Sequence, residues 1–396
     1  MRREPTAGIV LAGAAAFLNL YATQPLLPLF QRVFGASRFA VGLTVTAPTI
    51  AVAVSAPAIG RLADTAGLRR VIVGSAFLLA ACTLLSATSS SLPQLVAWRF
   101  VQGIATPGVF AGTIAYIHQM WPASRAGRAT AAYLTGTILG GFTGRAVAGL
   151  VAADVNWHMS FVVLGVMNIV VAAALGASLP AEPSTHAAHQ REQGSSLAGH
   201  LRNRQLLATY AIGFCVLFTN VAMFTYVTFH LAAPPYRLST SALGSLFVVY
   251  LIGAVVTPFG GRWIDRYGHR AGLAGAMGVG GAGALLTLAP SLVAIVAGLA
   301  LASTGVFIAQ TTTNSYIGAV TTSNRGLAVG LYSTCYYVGG SVGAAAPAAL
   351  WGIGGWPACV LLVVAVQATG VAIALTFWKG RPEGLHYDRE LPIANP

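Results

Sequence analysis

Long apolar runs, interrupted at near-regular intervals by charges and by Pro/Ser/Gly clusters, dominate this 396-residue chain. A helix needs about 20 mostly apolar residues to cross the hydrocarbon core of a bilayer. Cutting at the polar clusters predicts spans near 7–30, 40–60, 71–89, 93–117, 127–151 and 158–179. A second set follows near 206–231, 241–260, 271–289, 291–317, 326–350 and 357–378. Twelve spans of about 21 residues use roughly 250 residues, so no sizeable domain fits outside the membrane. The longest polar stretch, Ala181 to Gln205, is rich in Ser, His, Gln and charge and reads as a linker. The predicted organisation is a six-helix bundle over 1–180, a cytoplasmic linker over 181–205, a second six-helix bundle over 206–378 and a cytoplasmic tail over 379–396.

The two bundles repeat one another. Gly60, Arg61, Asp64, Gly67 and Arg69 are matched 201 residues later by Gly261, Arg262, Asp265, Gly268 and Arg270. Phe17 and Asn19 are matched at the same shift by Phe218 and Asn220. In the fifth and eleventh spans the shift is 199, pairing Tyr133 with Tyr332, Gly140 with Gly339 and Gly144 with Gly343. A near-constant shift at three separate places marks an internal duplication. Two related bundles about an axis along the membrane normal form an architecture in which a central site faces each side in turn.

Composition removes the alternatives. Hydrophobic residues make up 56% of the chain and charged residues 8%, with a mean hydropathy of +0.72. No soluble fold of this length could bury so much apolar surface under so few charges. The net charge of +13 comes from scattered basic residues rather than from a stripe that could follow a phosphate backbone, so no nucleic-acid partner is expected. With the N-terminus inside, 17 of the 22 Lys and Arg fall in cytoplasmic segments, 3 in outer loops, and Arg99 and Arg145 within spans. That asymmetry places both termini in the cytoplasm. The first apolar run is expected to be a retained helix rather than a cleaved signal. Cys82, Cys215, Cys335 and Cys359 lie far apart in apolar segments and read as buried free thiols. No phosphate-binding G-x-x-x-x-G-K-[ST] loop is present, and no nucleophile–base pair or metal cluster suggests an enzyme. No cofactor is expected.

Three motifs resemble those of a known family. Gly60–Arg70, with its weaker copy at Gly261–Arg270, is similar to the signature loop of the major facilitator superfamily. Trp98–Gly103 resembles the fourth-helix Arg-x-x-Gln-Gly motif of its drug/proton antiporter branch. Gly136–Arg145 resembles the fifth-helix antiporter motif, with Gly141 in place of its proline and Arg145 in place of its last glycine. Together with Tyr21–Pro28, these look like the bacterial YnfM-like or sugar-efflux-like subgroup. The resemblance implies a twelve-helix transporter of the bacterial inner membrane, exporting a sugar-like compound or drug in exchange for protons, with the proton gradient as energy source. It also implies that Asp64 and Asp265 latch the bundles together on the cytoplasmic side in the outward-open state.

The residues themselves single out further candidates. Gly140 and Gly144, with Gly136, are spaced for close helix approach, expected at the interface that rocks. An arginine within a span is costly and needs a cavity or a partner. Arg99 and Arg145 each lie roughly 9 Å below the outer face at 1.5 Å per residue, where they could line the cavity and attract an anion. Asn19, Tyr21, Gln24, Gln102, Asn220, Tyr226, Gln310 and Asn314 add amides and phenols in the first, fourth, seventh and tenth spans, suited to a small neutral or weakly anionic solute. None of the nine acids falls in mid-span, which leaves Asp64, Asp154, His158, His230 or the solute itself to carry a proton. An importer or exchanger of organic anions working through Arg99 and Arg145 is the alternative. Pro25, Pro28, Pro107, Pro258 and Pro347 are expected to kink spans without breaking them. The expected partners are the solute, protons and lipid, and the expected state is a monomer.

Overall fold

The computed structural model describes residues 6–180, 197–321 and 325–378. Most of the linker and all of the tail lie outside the described residues. So do the side chains of Asp64 and Asp265, on which the latch expectation rests. The described chain is helical, with no strand. Its helices are α1 (Thr6–Leu18), α2 (Leu27–Val33), α3 (Arg38–Ala66), α4 (Leu68–Ser86), α5 (Leu92–Met120), α6 (Ala123–Asp154) and α7 (Trp157–Ser178). After the linker come α8 (Leu197–Arg202), α9 (Arg204–Ala232), α10 (Thr240–Ser245), α11 (Val249–Leu286), α12 (Leu292–Val320), α13 (Arg325–Ala345) and α14 (Pro347–Phe377). Helix α8 lies inside the stretch expected to be linker.

The described helices make twelve crossings, with departures from the expected spans, among them a 3₁₀ turn at Leu246–Val248 between α10 and α11. The first span breaks after Leu18 and resumes through the 3₁₀ turn Gln24–Leu26 into α2. Pro25 and Pro28 stand in the first turns of the new segments, where a missing N–H costs nothing. They restart the helix rather than kink it. Pro347 likewise opens α14. Helix α11 holds two crossings, divided at Gly268, whose φ of 84° leaves the helical region. Helix α14 begins on the eleventh crossing and turns into the twelfth at Gly354 and Gly355.

Short polar residues start the crossings. The side chains of Ser37, Ser91, Asn156 and Ser239 each accept a backbone N–H in the first turn of α3, α5, α7 and α10, as Asn203 does for α9. Each satisfies a donor that the helix leaves free. The duplication is visible in the turns: Gly67, between α3 and α4, has φ 89°, against 84° for Gly268. Both hairpins lie on one face of the molecule, here the motif face; the connections around residues 34–37, 87–91 and 233–239 lie on the opposite, far face.

Within each half the glycine spacing does the same work. A Cβ on Gly136, Gly140 or Gly144 of α6 would strike the backbone of α1 at Val10, Ala14 or Leu18. One on Gly339 or Gly343 of α13 would strike α9 at Phe214 or Phe218. These glycines therefore weld helices inside one half. The expectation that Gly140 and Gly144 line the surface between halves gives way to this packing.

Candidate functional site

Helix α1 ends inside the apolar span, which strands carbonyls where no water can reach them. Arg99 supplies the missing donors. Its Nε donates to the Thr44 carbonyl at 3.1 Å, Nη1 to the Asn19 carbonyl at 2.8 Å and to Gln102 Oε1, and Nη2 to the Leu20 carbonyl at 2.6 Å. The cation also faces the negative end of α1. Gln102 extends the joint, with Nε2 donating to Thr83 Oγ1 at 2.6 Å. Gly103 lets α5 lie against α3, where a Cβ would meet the Pro48 carbonyl. Arg99 is 0% exposed and all three of its nitrogens are engaged. It stands in the wall of the bundle rather than on a cavity.

Arg145 is placed differently. It is 3% exposed. Nε donates to Gln24 Oε1 at 2.8 Å and Nη1 to the Gly141 carbonyl at 2.6 Å. Its guanidinium carbon lies 4.6 Å from the ring centre of Phe247, 5.0 Å from that of Tyr21 and 5.1 Å from that of Tyr250. Tyr21 comes from the N-terminal half, Phe247 and Tyr250 from the C-terminal half. Desolvating an ion costs several kcal/mol, and each ring face offsets roughly 2 kcal/mol in a dry site. Gln24 also crosses between halves, its Nε2 donating to Thr225 Oγ1 at 3.0 Å. Tyr250 donates to Asn220 Oδ1 at 3.2 Å. Among the described residues the buried hydroxyl of Tyr21 has no hydrogen-bond partner, nor does either polar atom of the Asn19 amide.

Toward the motif face the cage gives way to aromatic side chains from both halves. Phe17 packs edge-on to Phe110 at 6.1 Å and Phe110 to Tyr337 at 6.2 Å. Tyr250 meets Phe307 at 5.6 Å. Phe17, Phe110, Phe307, Tyr336, Asn220 and Gln310 are half-buried, and Asn314 is exposed. Tyr226 lies elsewhere: it is fully buried and donates to the Ala344 carbonyl at 3.0 Å, tying α9 to the end of α13. Of the sequence candidates, Tyr21, Gln24, Arg145 and Asn220 therefore converge, while Arg99 and Gln102 form a separate structural joint.

The halves close against each other on the far face. Ser341 donates to Thr49 Oγ1 at 2.9 Å, and Thr46 donates to the Ser341 carbonyl at 3.2 Å. A Cβ on Gly149 of α6 would lie 2.5 Å from the Thr240 carbonyl and 3.0 Å from Gly244 Cα. One on Gly244 would lie 2.7 Å from the Arg145 carbonyl. Arg38 reaches across to the Trp351 ring at 4.8 Å. On the motif face, Gly60, Gly127, Gly326 and Gly330 have open space where a Cβ would stand, and Arg61 is exposed. Arg69 is held within its own half, its Nε donating to the Leu179 carbonyl at 2.7 Å. The halves thus meet on the far face, beneath a groove lined by Arg38, Thr46, Ser341 and Trp351, while these glycines of the motif face stand clear of any neighbour. Sequence reasoning missed Phe247, Tyr250, Gly149, Gly244 and the Thr49–Ser341 contact. The repeat offered no signal for them, because they join unlike helices of the two halves.

The profile of the Major Facilitator Superfamily matches residues 9–247 and 231–391. The chain belongs to the Major Facilitator Superfamily. It is 34% identical over 345 residues to the uncharacterized MFS-type transporter YybF of Bacillus subtilis (strain 168), covering 86% of this chain and 85% of that one. It is 28% identical over 372 residues to the inner membrane transport protein YnfM of Escherichia coli (strain K12), covering 92% and 89%. A crystal structure of a bacterial homologue of the human lysosomal transporter Spinster, inward-facing and occupied, superposes with a TM-score of 0.75 at 16% identity over 94% of this chain and 95% of that one. As a superfamily member the chain is a multi-pass membrane transporter of small solutes rather than an enzyme. Among the described residues no cluster of three His, Cys, Asp or Glu could hold a metal ion.

Proposed function

We propose that this transporter exports a small organic solute across the bacterial inner membrane in exchange for protons, as a monomer with both termini in the cytoplasm. The observation that carries the reading is the cleft itself, lined by rings and amides of both halves, with the halves joined on the far face and the glycines of the motif face clear of neighbours. The excess of Lys and Arg on the motif side supports that face being cytoplasmic. On this orientation the structure is loaded from within. Export is supported by the fourth- and fifth-span motifs. It is also supported by a 28% likeness over 212 residues, 54% of this chain and 50% of the other, to the chloramphenicol resistance protein of Streptomyces lividans. A sugar-like compound or drug suits a lining of rings and amides.

Among the described residues no Asp or Glu stands in mid-span. Proton coupling then falls to groups at the ends of spans, or to an ionisable group on the solute. His158 binds the Ala87 carbonyl through Nδ1 at 2.8 Å and stacks on Trp157, and His230 stacks on Trp356. Everted vesicles with an acid-side fluorescent dye provide the test. Solutes from a panel of sugars, drugs and carboxylates should dissipate an imposed proton gradient only when the transporter is present. Accumulation of labelled solute that ignores an uncoupler would reject proton coupling, and net entry into intact cells would reject export.

A further inference from the structure

Arg145 brings a permanent charge to the meeting place of the two halves, with no anion among the described residues to neutralise it. Its described contacts are one amide oxygen, one carbonyl oxygen and three rings. Nη2 donates to none of the described residues, although the side chain is almost wholly enclosed. Tyr21, beside it, holds a buried hydroxyl with no acceptor among the described residues. A buried polar group without a partner calls for an explanation such as a water or a ligand. Here an unengaged guanidinium donor and an unengaged hydroxyl belong to a cation and a ring whose centre lies 5.0 Å from it, both able to serve an acceptor.

From this arrangement we infer that Arg145 and Tyr21 form a carboxylate subsite, taking the acid group of a small aromatic or aryl-alkyl monocarboxylate. This rests on the cleft being the solute site, as proposed above, and adds the class of solute. A single negative charge matches the single cation, whereas a dianion would leave one charge uncompensated in a dry pocket. The rings of Phe17, Phe110 and Phe307 on the open side suit the remainder of such a molecule. Gly141 keeps the approach clear: a Cβ there would lie 3.2 Å from Arg145 Nη1. Arg99 is not placed to serve: it is fully buried, with each of its three nitrogens already donating within its own half.

The subsite is also linked to the state of the far gate. Phe247 and Tyr250, which face the cation, belong to the opposite half from Arg145, and Gln24 bridges Arg145 to Thr225. Parting the halves on the far face dismantles the cage. A bound carboxylate therefore favours the far-closed state by its difference in affinity for the two states.

The test uses the full-length protein in nanodiscs, with benzoate and phenylacetate against their neutral counterparts benzamide and phenylacetamide. Affinity is read by calorimetry, and the far gate by the distance between spin labels at Ala153 and Ser239. The acids should bind at least about tenfold more tightly than the amides, a difference of about 1.4 kcal/mol. They should also narrow the label distances, and both effects should vanish in Arg145→Gln. Arg145→Lys, which keeps the charge, should retain part of the preference and serves if Arg145→Gln does not fold. The inference is overturned if the acids do not bind at millimolar concentration, if acids and amides bind alike, or if Arg145→Gln binds the acids as well as the parent. The two readings fail separately. Acid binding without proton-linked flux removes the exchange reading alone. Proton-linked flux of neutral solutes, unchanged in Arg145→Gln, removes the carboxylate subsite alone.

Discussion

Gly149 lies where α6 meets the start of the C-terminal half, and a side chain there should push the transporter out of the conformation described. In Gly149→Leu the new Cβ would stand 2.5 Å from the Thr240 carbonyl and 3.0 Å from Gly244 Cα. Both obstacles are backbone, so neither can rotate aside. Forcing carbon into a packed interface costs about 1–3 kcal/mol. The cost applies only while the far face is closed. At 0.59 kcal/mol for RT, the far-closed population should fall about 5- to 150-fold relative to the far-open one. Spin labels at Ala153 and Ser239, both exposed on the two sides of this seam, should move to longer distances by electron–electron resonance in nanodiscs. Gly127→Leu is the opposing control. Its Cβ meets nothing within 4 Å in this state, so any obstruction arises when the motif face closes, and it should hold the far face shut. An unchanged distance distribution in a folded Gly149→Leu protein would refute the assignment of the α6–α10 seam as the far gate.

Arg99→Met should lower thermal stability rather than solute affinity. It orphans the Thr44 and Leu20 carbonyls, each worth about 1–3 kcal/mol when buried and unpaired, and a melting curve in detergent would show it. Ser341→Ala removes the hydroxyl that donates to Thr49 across the seam. It should weaken far-face closure by about 1 kcal/mol, read with the same label pair. Gly67→Ala places a Cβ at φ 89°. It should destabilise the α3–α4 hairpin by about 1–2 kcal/mol, detectable as faster proteolysis of that turn; Gly268→Ala at φ 84° should behave alike.

Much of the fold was legible in the chain because a bilayer imposes one rule on every crossing: about 20 apolar residues, with each backbone group paired inside its own helix. Periodic interruptions, loop charge and a 201-residue echo needed no tertiary information. The duplicated glycines announced close helix packing, since that depends only on residues four apart on one face. What they packed against was not legible, and Gly140 and Gly144 proved to join α1 and α6 within a half. The roles of the two arginines were undecided for the same reason. Each is a cation in an apolar run, and sequence alone placed both at a similar depth. Only the folded chain showed that α1 stops at Leu18 and that the Asn19 and Leu20 carbonyls just beyond it, with that of Thr44 in α3, meet Arg99, which makes that residue a strut. Only the folded chain carried Phe247 and Tyr250, about a hundred residues further on, to Arg145. Hydrophobic pattern is a property of each helix with its solvent and is written locally. A charge in a membrane is defined by whatever the other helices bring within a few ångströms, and that is settled only when both halves meet.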